Sequence, residues 1–307
     1  MKWSNRLYWT AFVLIFLTAG IMRLHEIDIR PGLEWDETVY YQIARNTLVT
    51  GYPSLRSEGF DPDHVYIYHP PIDFLVRAGW LGITGSDDIT TLRIMSAAFS
   101  LATYAMVFVL AWKVVNRRVA LLVLLLMVTD GWLIYTNRLN LIENTQMFWV
   151  TIAMVSYFFS QSKKERKWQI ISGLLIGWSI VYKHTGIHIL AVPIILIVLQ
   201  PSEWRKHLLV ISAATVVCSI YAVVMAASYG DVFIQNTWVQ IQRAMGSIDS
   251  RGLNFDLSKT LEVIYNTYWV FLTTVATLVI SVPVALANLR RWRKGTLGEE
   301  RIFLAWY

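Results

Sequence analysis

The chain has 307 residues, 55% of them hydrophobic and only 16% charged, with 14 Trp, 15 Tyr and 13 Phe. A soluble domain cannot hide this much apolar surface, and several runs reach the ~17–25 apolar residues that a bilayer span requires; a water-soluble protein is excluded. The formal charge of +6 is then a question of which membrane face carries the Lys and Arg, not a nucleic-acid signature, and the single Cys218 supplies neither a disulfide framework nor a cysteine-based metal site.

In chain order, Lys2 and Arg6 precede a first apolar stretch, and the following Gly20-Ile21-Met22-Arg23-Leu24-His25 lacks a small-x-small cleavage site, so an uncleaved anchor is expected. Length and apolarity place spans at 7–22, 91–112, 119–136, 144–161, 168–182, 187–200, 208–228 and 263–289. Alternate turns are basic: Lys113, Arg117 and Arg118; Lys163, Lys164, Arg166 and Lys167; Arg205 and Lys206; Arg290, Arg291, Arg293 and Lys294. A cytoplasmic N-terminus puts all four inside, as the positive-inside bias requires. Trp3, Trp9, Trp112, Trp132, Trp168, Trp204 and Trp292 fall near span ends, where amphipathic rings prefer the interface. The expectation is an all-α membrane protein: one transmembrane helix bundle over 1–307. Its larger outer loops are 23–90 and 229–262. The last residues, 301–307, read as the opening of a further span, so the chain is expected to be an N-terminal fragment.

Within the first loop, Trp35-Asp36-Glu37 opens a run in which Val39, Tyr40, Ile43, Ala44, Thr47 and Leu48 recur at helical spacing, with Gln42, Arg45 and Asn46 opposite. Such a helix is expected to lie on the membrane surface with its apolar side in lipid and Asp36 at headgroup level. The structural reading of Asp36 is a helix N-cap, with Glu37 favouring the helix dipole. In Tyr68-His69-Pro70-Pro71-Ile72-Asp73 the prolines stop one element and start a second interfacial helix; a structural role is the better reading of His69. The tyrosines 40, 41, 66 and 68 suit a headgroup belt better than a sugar platform. In Asn137-Arg138-Leu139-Asn140-Leu141-Ile142-Glu143, a cation and an acid flank a turn between spans, either as a functional pair or as an interfacial ion pair and snorkelling arginine. Lys183, in Lys183-His184-Thr185-Gly186, stands at a broken span end, again functional or snorkelling. Asp36, His64 and His69 could gather a divalent metal, but no H-E-x-x-H-like spacing supports one, and no firm cofactor is expected.

These four segments, in this order and on one expected face, resemble the signatures of the protein O-mannosyltransferases and lipid A aminoarabinose transferases. Those families are polytopic C-type (GT-C) glycosyltransferases using polyprenyl-phosphate sugars. Asp36-Glu37 is similar to their first acidic pair and Tyr68-His69-Pro70-Pro71-Ile72 to their His/Lys-Pro-Pro-Leu element. Asn137-Arg138 through Glu143 resembles their Ser-Arg-x-x-x-x-Asp turn, with Glu143 for the usual Asp, and Lys183 through Gly186 their Lys-x-x-Gly turn. The resemblance covers about the first 200 residues; the later spans, where relatives build part of the carrier pocket, are missing. It implies inverting transfer of a sugar from a polyprenyl-phosphate donor to a hydroxyl acceptor on protein, lipid or cell-envelope glycan, at the outer face of a plasma membrane. Asp36 would be the base and Glu37 its catalytic neighbour. Arg138 and Lys183, with Arg243 and Arg251 as outer candidates, would hold the donor phosphate. Glu143, His69 and Tyr68 would orient these groups or the acceptor. The leaving phosphate is already a stable anion, so no glycosidase-like second acid is needed; positive charge at that phosphate is. A transporter would place ionisable groups in mid-span, where few are found, and a scaffold would use its acids only as caps.

Overall fold

The computed structural model describes residues 5–55, 65–161, 163 and 165–244, the side chains of residues 241, 243 and 244 excepted. The span expected at 263–289, the basic cluster at 290–294, and His64, Lys164 and Arg251 lie outside the described residues, as does the side chain of Arg243. Ten α-helices are described: α1 (Asn5–Leu24), α2 (Trp35–Thr50), α3 (Ile72–Thr84), α4 (Ile89–Val114), α5 (Arg117–Thr129), α6 (Gly131–Asn137), α7 (Ile142–Gln161), α8 (Arg166–Tyr182), α9 (Ala191–Leu199) and α10 (Trp204–Ala244), with a 3₁₀ segment His184–Leu190 between α8 and α9. The only described β pairing is an isolated bridge, Ser54 to Val65. The expected all-α membrane architecture is what forms.

Helices α1, α4 and the run 201–240 are long and apolar enough to cross a membrane alone. The span expected at 119–136 is broken. Asp130 leaves the helix (ψ 116°), its carboxylate caps the Leu133 N–H at 2.8 Å, and α6 departs from α5 at 66°. The segment expected to span at 187–200 falls in one short apolar helical run, His184–Leu199, made of the 3₁₀ segment and α9 together. The loop expected from 229 does not begin there: Gly230 (φ 49°) kinks the chain and helix resumes to Ala244. Helices α7 and α8 form where expected but run through the interior. On α7, Asn144, Thr145, Gln146, Thr151 and Ser160 are buried among protein neighbours, which dilutes the apolarity of that span.

The described basic turns gather at one end of the bundle. Arg117 donates to Asn5 Oδ1 (2.8 Å) and lies over the Trp112 ring, and Gln169 of α8 donates to the Ser160 carbonyl of α7 (2.8 Å). Nearby, Tyr157 and His207 are linked at 2.7 Å. The interior is packed by small residues, as membrane helices require when lipid offers no hydrophobic drive for association. On α8, a Cβ at Gly173 would stand 2.3 Å from the Val210 carbonyl oxygen and one at Gly177 2.8 Å from that of Ala214, so α8 and α10 touch backbone to backbone.

At the opposite end, α2 and α3 sit on α4, α7 and α8. Contrary to expectation, the apolar side of α2 does not face lipid. Tyr40 and Ile43 pack with Phe74, Ile142 and Tyr182, and Ala44 with Leu81, Leu92 and Met95, because α3 and α4 present a matching apolar face; of that side only Leu48 and, beyond it, Val49 are exposed. Gly51, at φ 80°, ends α2 by donating to the Thr47 carbonyl (2.9 Å), a left-handed cap that suits glycine. Gly173→Leu should wedge α8 from α10 and cost about 1–3 kcal/mol; a melting temperature in detergent equal to wild type would refute the close contact.

Candidate active site

The two adjacent acids of α2 separate. The N-cap is Glu34, whose N–H donates to Glu37 Oε1 (3.3 Å). Asp36 is therefore not the cap the structural reading made it; it sits in the first turn, exposed, on the wall of a cavity of about 430 Å³. Glu37, one residue on, is fully buried. Its Oε2 accepts from Arg93 Nε (3.0 Å) and the Asn140 N–H (3.0 Å), while Oε1 takes the other arm of the Arg93 fork. Arg93 in turn donates to the carbonyls of Ile27 (2.9 Å) and Gly32 (3.3 Å). Glu37, expected beside Asp36 at the site, is thus absent from the cavity lining and holds α2 in place through Arg93.

One side of α2, running from Trp35 through Thr38 and Val39 to Gln42, lines the cavity with Asp36 at its head; positions i, i+3, i+4 and i+7 share a helical face. The facing wall is Tyr66 and His69, with the Tyr40 hydroxyl 3.5 Å from His69 Nε2. Tyr68 stands 5.6 Å (ring centroids) from Tyr66 and is not part of the lining. The start of α3 holds His69 in position. Asp73, fully buried, pairs with Arg77 and accepts from Thr145 Oγ1 (2.7 Å) and the Tyr182 hydroxyl (2.6 Å), bolting α3 to α7 and α8. Burial, with the nearby Lys183 charge second, pushes the His69 imidazole down to about 4 against a partial pull upward from Glu143. It is a neutral ring at physiological pH.

Lys183 ends α8 and is buried to 9% exposure, its ammonium paired with Glu143 at the start of α7. Gln146 Nε2 fixes the turn by donating to the Lys183 carbonyl (3.3 Å) and Thr185 Oγ1 (2.8 Å). The Gly186 N–H closes it on the Lys183 carbonyl (2.8 Å). A Cβ at Gly186 would lie 2.4 Å from the Ser179 carbonyl oxygen, so only glycine lets the turn fold back on α8. The expected partnership of Glu143 with Arg138 is corrected: Arg138 points away and donates to the carbonyls of Met22 (3.3 Å), Glu26 (3.1 Å) and Arg30 (2.8 and 3.1 Å), and to that of His25. Its fork clamps the turn after α1.

The arginines that organise this end, Arg23, Arg77 and Arg93, belong to none of the four sequence motifs, and all are fully buried. Arg23 donates to Asn137 Oδ1 (3.2 Å) and the Met127 carbonyl (3.1 Å), the Tyr104 hydroxyl to the same Asn137 oxygen (2.6 Å), and Asn137 passes the chain to Asn144 (3.0 Å). The usable signal was an ionisable residue inside an apolar stretch, Arg93 one turn into its span, which has to be paired or functional. Among the described residues no group of three His, Cys, Asp or Glu could hold a metal ion; Asp36 and His69 share the cavity wall, two donors short of a closed site.

The sequence profile of the dolichyl-phosphate-mannose-protein mannosyltransferases matches residues 68–229, more than half of the chain. The chain belongs to that family. The matched region takes in His69, Asn137 through Glu143 and Lys183 through Gly186 and begins after Asp36. No curated protein sequence matches significantly. Among solved structures, the fold is similar to that of ArnT from Cupriavidus metallidurans bound to undecaprenyl phosphate, with 18% identity and TM-score 0.62 over 78% of this chain and 45% of that one. It is also similar to the Archaeoglobus fulgidus oligosaccharyltransferase in complex with zinc and sulfate, with 15% identity and TM-score 0.65 over 96% of this chain and 45% of the other. This family member therefore has the GT-C membrane fold and spans less than half the length of those two proteins.

Glu37→Ala strands the Arg93 charge in the interior and should cost about 3–5 kcal/mol, whereas Asp36→Asn should melt like wild type; similar melting of both variants would show that Glu37 is not the anchor. The sign of the His69 effect is also fixed. The unfolded imidazole titrates near 6.5 and the folded one near 4, so between these values the unfolded state binds the extra proton and stability falls as pH drops. His69→Gln should flatten the fall in melting temperature between about pH 6.5 and 4; an unchanged slope would mean His69 protonates freely in the folded state.

Proposed function

We propose that this chain moves a sugar from a polyprenyl-phosphate donor to a hydroxyl acceptor, with inversion, at the outer face of a plasma membrane, its N-terminus in the cytoplasm. The observation that carries the reading is the divergence of Asp36 and Glu37: one carboxylate is spent on Arg93 and the other stands exposed on the wall of a cavity large enough for a small molecule. A hydroxyl is a weak nucleophile at neutral pH, and a positioned carboxylate accepts its proton as attack proceeds. Asp36 has that role. Lys183, partly desolvated beside His69, is the cation for the departing phosphate. Glu143 neutralises Lys183 until donor arrives, then shares or releases it. Arg243 and Arg251 remain outer candidates from beyond the described site.

The polyprenyl carrier is supported by the family's dolichyl-phosphate-linked donor and by the undecaprenyl phosphate bound to ArnT. The transferred group is a hexosyl or pentosyl unit. Both reactants are confined near a surface, and holding them in line replaces a bimolecular encounter with a nearly intramolecular one. In this reading the Lys183-to-Gly186 turn fixes the phosphate side and α2 the acceptor side.

Asp36→Asn should lower sugar transfer by at least about 10²-fold with its melting temperature kept. Lys183→Ala should raise donor KM more than Lys183→Arg does. Wild-type turnover in Asp36→Asn would remove Asp36 as the base, and unaltered donor KM in Lys183→Ala would remove the lysine from the phosphate.

A further inference from the structure

The cavity at Asp36 differs in kind from the Lys183 turn. Among the described residues its wall is aromatic and uncharged-polar around one carboxylate: Trp35, Tyr40, Tyr66 and His69 as ring surfaces, Gln42 as an amide, and Asp36. The rings are braced rather than loose. Tyr66 stands edge-on to Phe74 at 5.6 Å and Tyr40 edge-on to His69 at 5.9 Å, and Phe74 is fully buried. Trp35 is the exception, 80% exposed in the first turn of α2 beside the base. An indole exposed next to a cavity mouth offers a flat apolar face. At about 430 Å³ the cavity is within the ~300–1,000 Å³ of small-molecule sites, whose few polar groups set specificity.

The direction of the reaction decides which reactant the cavity takes. In an inverting displacement the nucleophile and the leaving group lie on opposite sides of the anomeric carbon. The base and the phosphate-holding cation must therefore be apart, and Lys183 and Glu143 are outside this cavity's lining. We infer that the cavity is the acceptor subsite and that its occupant is a carbohydrate: a neutral sugar ring whose C–H face lies on the Trp35 and Tyr66 rings and whose hydroxyls are read by Gln42 and Asp36. A serine or threonine side chain would fill a small part of the volume and leave the aromatic walls bare. A sugar ring presents an apolar face and a rim of donors and acceptors, which is the complement of rings flanked by an amide and a carboxylate. The inference rests on the transfer reading above and names the acceptor class. In the step, the acceptor O–H proton passes to the Asp36 carboxylate and the acceptor oxygen bonds to the anomeric carbon. The bond from that carbon to the phosphate oxygen breaks, and its electron pair leaves with the polyprenyl phosphate.

The test uses the full chain in lipid nanodiscs with a polyprenyl-phosphate-linked radiolabelled sugar. Methyl glycosides and a serine-containing peptide compete as acceptor probes, and release of sugar to water is measured alongside. The expected result is label on a methyl glycoside, with Trp35→Ala and Gln42→Ala each raising the glycoside KM about tenfold or more while donor KM moves less than about threefold. Label on the peptide and none on any glycoside overturns the inference. So does a glycoside KM within about twofold of wild type in both variants. Donor consumed only by water leaves the transfer chemistry standing and removes the carbohydrate assignment; a donor never consumed removes the transfer reading, and the assignment with it.

Discussion

The bidentate pair between Glu37 and Arg93 is the constraint on which the site end depends. Both charges are removed from water, a cost that mutual attraction repays only if the remaining donors and acceptors are filled. Here they are. The carboxylate also takes the Asn140 N–H, and the guanidinium takes the carbonyls of Ile27 and Gly32. Four segments of chain meet at this one ion pair: α2, α4, the connection after α1 and the turn before α7. Successive helical residues are turned by about 100°, so driving Glu37 inward forces Asp36 outward. The exposure of the proposed base is a geometric consequence of burying its neighbour.

The same logic runs through the other buried cations. Asp73 and Arg77 form a second knot that fixes α3, and Arg23, Tyr104, Asn137 and Asn144 a third that ties α1 to α4, α6 and α7. All three knots lie at the end of the bundle opposite the basic turns. A pathway through the membrane would string ionisable groups along the spans; the buried arginines among the described residues are instead collected at one end and committed to fixed partners. Asp36 is the acid of this group that stays open to a cavity, and Lys183 is the cation whose partner, Glu143, comes from a different helix and is half free of cover. The transfer proposed above needs that arrangement: rigid surroundings, one available base, one exchangeable cation.

Rigidity further down the bundle serves the same end. The glycines of α8 let it lie against α10 without intervening side chains, and Gly186 lets the next turn fold back over the α8 terminus. The position of Lys183 is therefore fixed by backbone contact, not by its own flexible side chain. Aromatic packing beneath α2 and α3 does the corresponding work for Tyr40, Tyr66 and His69.

Much of this was legible in the amino-acid order. Apolar run lengths gave the membrane class, and charge alternation gave the grouping of the described basic turns. The short motifs at Asp36, His69 and Lys183 named residues that the fold does bring to one end. What failed was anything that depended on partners distant in the chain. Arg138 and Glu143 are five residues apart and suggested a pair, yet one reaches back to carbonyls of 22–30 and the other across to Lys183. Glu37 and Arg93 are 56 residues apart, and no local pattern joins them. The face of α2 was misassigned for the same reason: periodicity shows that a helix has an apolar side but not whether lipid or protein covers it. Composition and periodicity are properties of neighbours in sequence, and they determined that this chain is a helical membrane bundle with polar chemistry at one end. Which acid is spent on holding the fold and which is left exposed at a cavity was decided only by tertiary structure, because a buried charge is settled by whatever partners the folded chain brings to it.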